Sequence, residues 1–133
     1  MNIKLRTVVV DCADADRLSD FYAGLLGWDK TVEEDGWVLM RDPAGGAGLS
    51  FQAEKDYIPP VWPEQDGMQS KMLHLDFITD DLEAASARAV ACGAIPCKES
   101  YFEGVRTFFD PAGHPFCLFV DSGYVWKNEK TKK

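Results

Sequence analysis

The chain reads twice through one plan. "RDPAGGAGLSF", from Arg41, is answered by "FDPAGHPFCLF", from Phe109. The turn aspartates Asp42 and Asp110 lie about 68 residues apart, and Gly27 and Gly93, each closing a helical stretch, about 66. A period of this size makes each copy one supersecondary unit that buries its apolar face against its neighbour. A chain of 133 residues is long enough for two such units to share one core in a single domain.

The first copy opens with "LRTVVVDC", apolar and β-branched, which predicts a strand over Leu5–Cys12. The period then changes. Leu18, Phe21, Tyr22, Leu25 and Leu26 fall on one face of a helix, with Asp14 or Asp16 as its cap and Gly27 as its stop. Short strands are predicted around Asp29–Glu33, Gly36–Arg41 and Gly48–Ala53, with "DPAGG" turning between the last two. The second copy repeats the order. "MLHLDFITD" reads as a strand, and "DDLEAASARAVACGA" as a helix with Asp80 and Glu83 in capping-box spacing and Gly93 at its end. Strands follow near Ile95–Ser100, Val105–Asp110 and Pro115–Asp121. The organisation is therefore module one over 3–53, a Pro- and Gly-punctuated joint over 54–71, module two over 72–121 and a charged tail over 122–133.

Composition narrows the partners. The formal charge of −8 disfavours nucleic acid and anionic membranes, both of which require basic patches. No apolar run approaches the length of a transmembrane helix, and "MNIKLRTVVVDC" reads as a first strand rather than a signal peptide. Cys12, Cys92, Cys97 and Cys117 form no Cys-x-x-Cys pair, so a structural zinc knot is not expected. Without an export signal they are expected to be reduced, small buried hydrophobes in the cytoplasm.

"VVVDCADADRLSDFYAGLLGW", "HLDFITDDLEAASARAVACGA" and "FFDPAGHPFCLF" together resemble the vicinal oxygen chelate superfamily: glyoxalase I, bleomycin-resistance proteins and extradiol dioxygenases. The similarity is to the glyoxalase-like branch and spans about residues 3–121. It implies an α+β fold of two β-α-β-β-β modules whose curved sheets form an open cup with helices outside. Strand alternation agrees. Leu73, Leu75 and Phe77 share one face, and His74, Asp76 and Ile78 the other. Thr7, Val9 and Asp11 in the first strand, Ser50 and Gln52 in the fourth, and Cys117 and Phe119 in the last would face the cup.

Metal-dependent members of the superfamily hold a divalent ion with His, Glu or Gln from the first and last strand of each module. Those positions here are Thr7 and Ser50 or Gln52 in module one, and His74 and Cys117 in module two. His74 is the one regular ligand of that pattern, with Gln52 and Cys117 as its candidate partners and Asp76 within reach along the strand. Three other roles stay open for His74. It is a general base oriented by Asp76, an activator of a Cys117 thiolate, or a polar wall group. His114 follows Gly113 and reads as exposed turn chemistry. Trp28, Trp37, Tyr57, Trp62, Tyr101 and Phe102 lie near strand ends or in the joint, and Trp62, between prolines, is the leading pocket wall. Thr7, Trp37, Gln52, Trp62, Cys117 and Phe119 are the expected ligand-contacting set. The leading expectation is a cup for a small aromatic or cationic organic molecule, without a full metal site and needing no cofactor. A metal-dependent lyase, isomerase or dioxygenase is the alternative, and a non-catalytic interaction module the third. The resemblance also implies a homodimer.

Overall fold

The computed structural model describes residues 1–98 and 103–120. Tyr101, Phe102, Asp121 and the tail lie outside the described residues. Each repeat builds one four-stranded sheet and one helix. Module one comprises β1 (Thr7–Cys12), α1 (Ala15–Leu26), β2 (Lys30–Glu34), β3 (Trp37–Met40) and β4 (Gly48–Ala53). Module two comprises β5 (Leu75–Thr79), α2 (Leu82–Cys92), β6 (Ile95–Pro96), β7 (Val105–Phe109) and β8 (Pro115–Val120). The strand orders are β1-β4-β3-β2 and β5-β8-β7-β6. In each sheet the first strand lies parallel to the last, and the other pairs are antiparallel. The helix between the first two strands of each module supplies the crossover that a parallel pair needs.

Local chemistry sets the helix ends. The Asp14 carboxylate accepts from the Arg17 N–H at 3.0 Å, and Gly27 leaves α1 at φ 72° while donating to Ala23 O. Asp81, rather than Asp80, caps α2, accepting from the Ala84 N–H at 3.0 Å. With the cap at Asp81, Glu83 falls one position short of the capping-box place, which Ala84 occupies, and its carboxylate pairs with Arg106 of β7. Two strands start later than expected. β1 begins at Thr7, leaving Leu5 71% exposed, and β5 begins at Leu75, so His74 sits immediately ahead of it.

The core is aromatic and joins the modules. Phe21 and Tyr22 of α1 reach Phe116 of β8, and Tyr22 also meets Phe77 of β5. Tyr22 stacks on Phe51 at 5.6 Å, and Phe108 on Phe116 at 5.5 Å, pairs worth about 0.5–1.5 kcal/mol beyond their buried area. The helices also touch. A Cβ built on Gly24 of α1 would lie 3.0 Å from Cys92 Sγ of α2. At Gly48 a Cβ would meet the Met40 carbonyl oxygen at 2.3 Å, so the hairpin between β3 and β4 closes only around glycine. Among the described residues no helix is long and apolar enough to cross a membrane.

Candidate functional site

The sheet faces turned away from the core carry the polar side chains. In module one, Thr7, Val9 and Asp11 stand across from Gly48, Ser50 and Gln52. In module two, Asp76 and Ile78 stand across from Cys117 and Phe119, and Thr107 and Val105 flank those two from β7. The expected alternation therefore holds in β1, β4, β5 and β8. Leu73 departs from it, because it precedes the strand and is 62% exposed.

The two modules fill equivalent places differently. His74 Nε2 lies 3.1 Å from Asp76 Oδ1, and donor atoms of His74, Asp76 and Cys117 all fall within 4.8 Å of one another. Cys117 Sγ also lies 3.4 Å from Thr107 Oγ1. Burial pushes the Cys117 thiol up; the Thr107 hydrogen bond opposes this, and the Asp76 charge adds to it. The upward shift disfavours a thiolate at Cys117 and so works against the role of an activated nucleophile. In module one the Thr7 and Ser50 hydroxyls bond each other at 2.8 Å, and Ser50 is fully buried. Gln52 shares their face but turns its amide to Glu54 at 3.0 Å.

These residues permit a direct fit test for a divalent ion. An imidazole nitrogen, a carboxylate oxygen and a thiol sulfur suit zinc and leave one position open. Module one adds two hydroxyls that already satisfy each other. The module-two donors fit such an ion, and among the described residues His74, Asp76 and Cys117 are the one group of His, Cys, Asp and Glu side chains close enough together to hold it.

A cleft of about 590 Å³ opens between β1, the joint and the start of β8. Val9, Tyr57, Ile58, Met72 and Leu73 give it apolar walls, with Asp11, Glu54, Asp56, Lys55 and Lys71 among them. Trp37 and Phe119 are half-buried on their sheets, and Trp62 is half-buried in the joint; none of the three lines this cleft. A second hollow, about 920 Å³, lies between α2 and β6–β7, bordered by Ala87, Val90, Pro96 and Phe108.

His114 is not the exposed turn residue its position suggests. Its side chain is only 22% exposed and lines the cleft. Nδ1 lies 2.9 and 3.0 Å from the two oxygens of buried Asp110, and Nε2 lies 3.0 Å from the Tyr57 hydroxyl. Asp110 also accepts from the Tyr22 hydroxyl at 2.7 Å and from the backbone N–H groups of Ala112 and His114. Helix α1 and the second "DPAG" turn thus meet at one carboxylate, to which His114 links the joint. Burial, and then the Asp110 charge, push both the Tyr22 and Tyr57 phenols up, so both remain donors. The i,i+4 spacing of Asp110 and His114 was the available sequence signal. The burial comes from a joint that no local pattern describes.

A sequence model of the glyoxalase-like domain matches residues 7–119. The chain belongs to the glyoxalase-like domain family. No curated protein matches it significantly. Solved structures share its fold. A glyoxalase/bleomycin resistance protein/dioxygenase family enzyme from Burkholderia phytofirmans PsJN superposes with a TM-score of 0.68 at 16% identity, covering 89% of this chain and 98% of that one. The fosfomycin resistance protein FosX from Mesorhizobium loti gives 0.67 at 15%, covering 97% and 100%. TnmS3, an antibiotic-binding protein from Streptomyces sp. CB03234, gives 0.62 at 23%, covering 92% and 99%. These identities establish a common fold for this glyoxalase-like chain, and its activity has to be argued from its own residues.

Proposed function

We propose that this glyoxalase-like protein binds a small organic molecule, aromatic or cationic, in the cleft between β1, the joint and β8, without a complete metal site. The observation that carries this reading is the cleft itself: about 590 Å³, within the range of small-molecule sites, and walled by Val9, Ile58, Leu73 and the Tyr57 ring. Asp11, Glu54 and Asp56 line the cleft beside Lys55 and Lys71, so the preference for a cation rests on the net charge of −8 and on the Tyr57 face, which offers cation–π attraction. The antibiotic-binding and fosfomycin-resistance relatives in fold support a small-molecule role. Titration with phenyltrimethylammonium and other aromatic cations, followed by amide NMR shifts, tests it. Signals of Val9, Tyr57 and Leu73 are expected to move together and saturate; a panel that moves none of them ends the reading.

The His74, Asp76 and Cys117 group favours a second reading, a metal-dependent enzyme of the same family. A zinc ion held there would act as a Lewis acid on a substrate oxygen. The protein's part is to orient His74 through Asp76 and to release the Cys117 proton on binding. Metal analysis of protein purified without chelator separates the two readings. A stoichiometric divalent ion favours the enzyme, and apo protein with intact ligand binding favours the carrier.

A further inference from the structure

The contacts around His114 are all made together only with a proton on each ring nitrogen. The Tyr57 hydroxyl has one proton and lies 2.9 Å from the Ala112 carbonyl oxygen, which can only accept. A proton given to that carbonyl is not available to His114. His114 Nε2, 3.0 Å from the same phenol oxygen, completes its contact only as a donor. Nδ1 faces two carboxylate oxygens and must donate as well. Every bond in the group is made only when both ring nitrogens carry protons. Asp110 is suited to be the counter-ion, because the Tyr22 hydroxyl and two backbone N–H groups already solvate its carboxylate.

We propose that His114 is an imidazolium latch: its Nε2 proton fastens the joint to the 110–114 turn and so holds one wall of the cleft in place. The proposal rests on the cleft being the ligand site, and makes capture there proton-dependent. A neutral ring with only Nδ1 protonated leaves Tyr57 one proton for two acceptors, Ala112 O and Nε2. One of the two bonds tying the joint to the turn is then lost. The neighbouring packing is tight enough to feel this. A Cβ on Gly113 would lie 2.9 Å from Pro59 Cβ, so the joint presses directly on the turn. The titratable groups facing the latch are Asp110 from the turn, Tyr22 from α1 behind it, Tyr57 from the joint, and Asp11 and Cys12 from β1, both of which act electrostatically on Tyr57. Glu54, Lys55, Asp56 and Lys71 complete the charged lining of the cleft.

The chain has two histidines, which makes the test clean. Ring ¹⁵N spectra of the ligand-free wild-type protein, with His74→Asn for assignment, report the protonation of each nitrogen. At neutral pH both His114 nitrogens are expected in the protonated range. As pH rises, the amide signals of Tyr57, Ile58 and Ala112 should follow the loss of the Nε2 proton. In Tyr57→Phe the joint signals should lose that dependence. An unprotonated Nε2 at neutral pH overturns the latch, as do joint signals that ignore the His114 titration. The wild-type measurement decides even if the variant does not fold. Because no ligand is added, the latch and the cleft's role as a ligand site fail separately.

Discussion

The two "DPAG" turns share a sequence and differ in what surrounds them. In module one, Asp42 accepts from its own turn, its carboxylate from the Ala44 N–H and its carbonyl from the Gly45 N–H. In module two, Asp110 is 2% exposed and gathers Tyr22, His114 and its own backbone. The same motif thus closes a hairpin in one copy and ties three segments in the other. The cup faces diverge in parallel. Thr7 and Ser50 neutralise each other, while His74, Asp76 and Cys117 keep donor atoms clustered. Duplication supplied the frame, and the chemistry collected on one side of it.

The sharpest way to break this comparison is to remove both aspartates in turn. Asp110→Ala leaves a buried phenol and an imidazole without their acceptor and is expected to cost about 3–5 kcal/mol in urea unfolding. Asp42→Ala should cost about 1 kcal/mol or less, because it loses one partly exposed bond. Equal losses would mean the turns are equivalent after all.

A second measurement concerns fully buried Cys12 in β1. Burial, and then the Asp110 charge, raise its thiol from 9.0 to about 11. Between these values the unfolded chain gives up the proton and the folded one keeps it, so stability falls as pH rises. The expected loss is on the order of 2 kcal/mol between about pH 9 and pH 11. Tyr22 and Cys117, also raised, act in the same direction. Cys12→Ala should flatten the alkaline fall; an unchanged slope would remove Cys12 from the account.

The smallest effect expected is on metal uptake. Competition with a chromophoric chelator should show His74→Ala losing about tenfold in zinc affinity, while Thr7→Ala is unchanged. Matched affinities in both variants would show that the clustered donors do not bind the ion.

Much of the fold was legible because it is written in periods and punctuation. The change from strand to helix spacing at Asp14, the glycines at 27 and 93 and the paired turns locate the module elements to within a few residues, save the strand expected over Ile95–Ser100, whose end lies outside the described residues. The misreadings are local competitions. Asp80 and Asp81 are adjacent, and only the extended backbone at Asp81 makes it the cap. Glu83 suits a capping box with Asp80, and the shift of the cap to Asp81 takes it out of register and leaves it to Arg106. On the site, His74, Asp76 and Cys117 follow from alternation and register. The His114 network does not, since its burial depends on Tyr57 crossing from a segment without periodicity. Trp62 was singled out by its flanking prolines, but the cleft is walled by Tyr57 and Ile58, a few residues earlier in the same joint.

The crossing of α1 and α2 at Gly24 and Cys92 bears on how such a chain can diverge. Space there is shared between the copies. A methyl at position 24 has room only if the sulfur at position 92 gives way. Drift at one copy's helix is therefore constrained by the residue its twin happens to carry, and the two halves, free to differ on their open faces, must evolve as a pair along this seam.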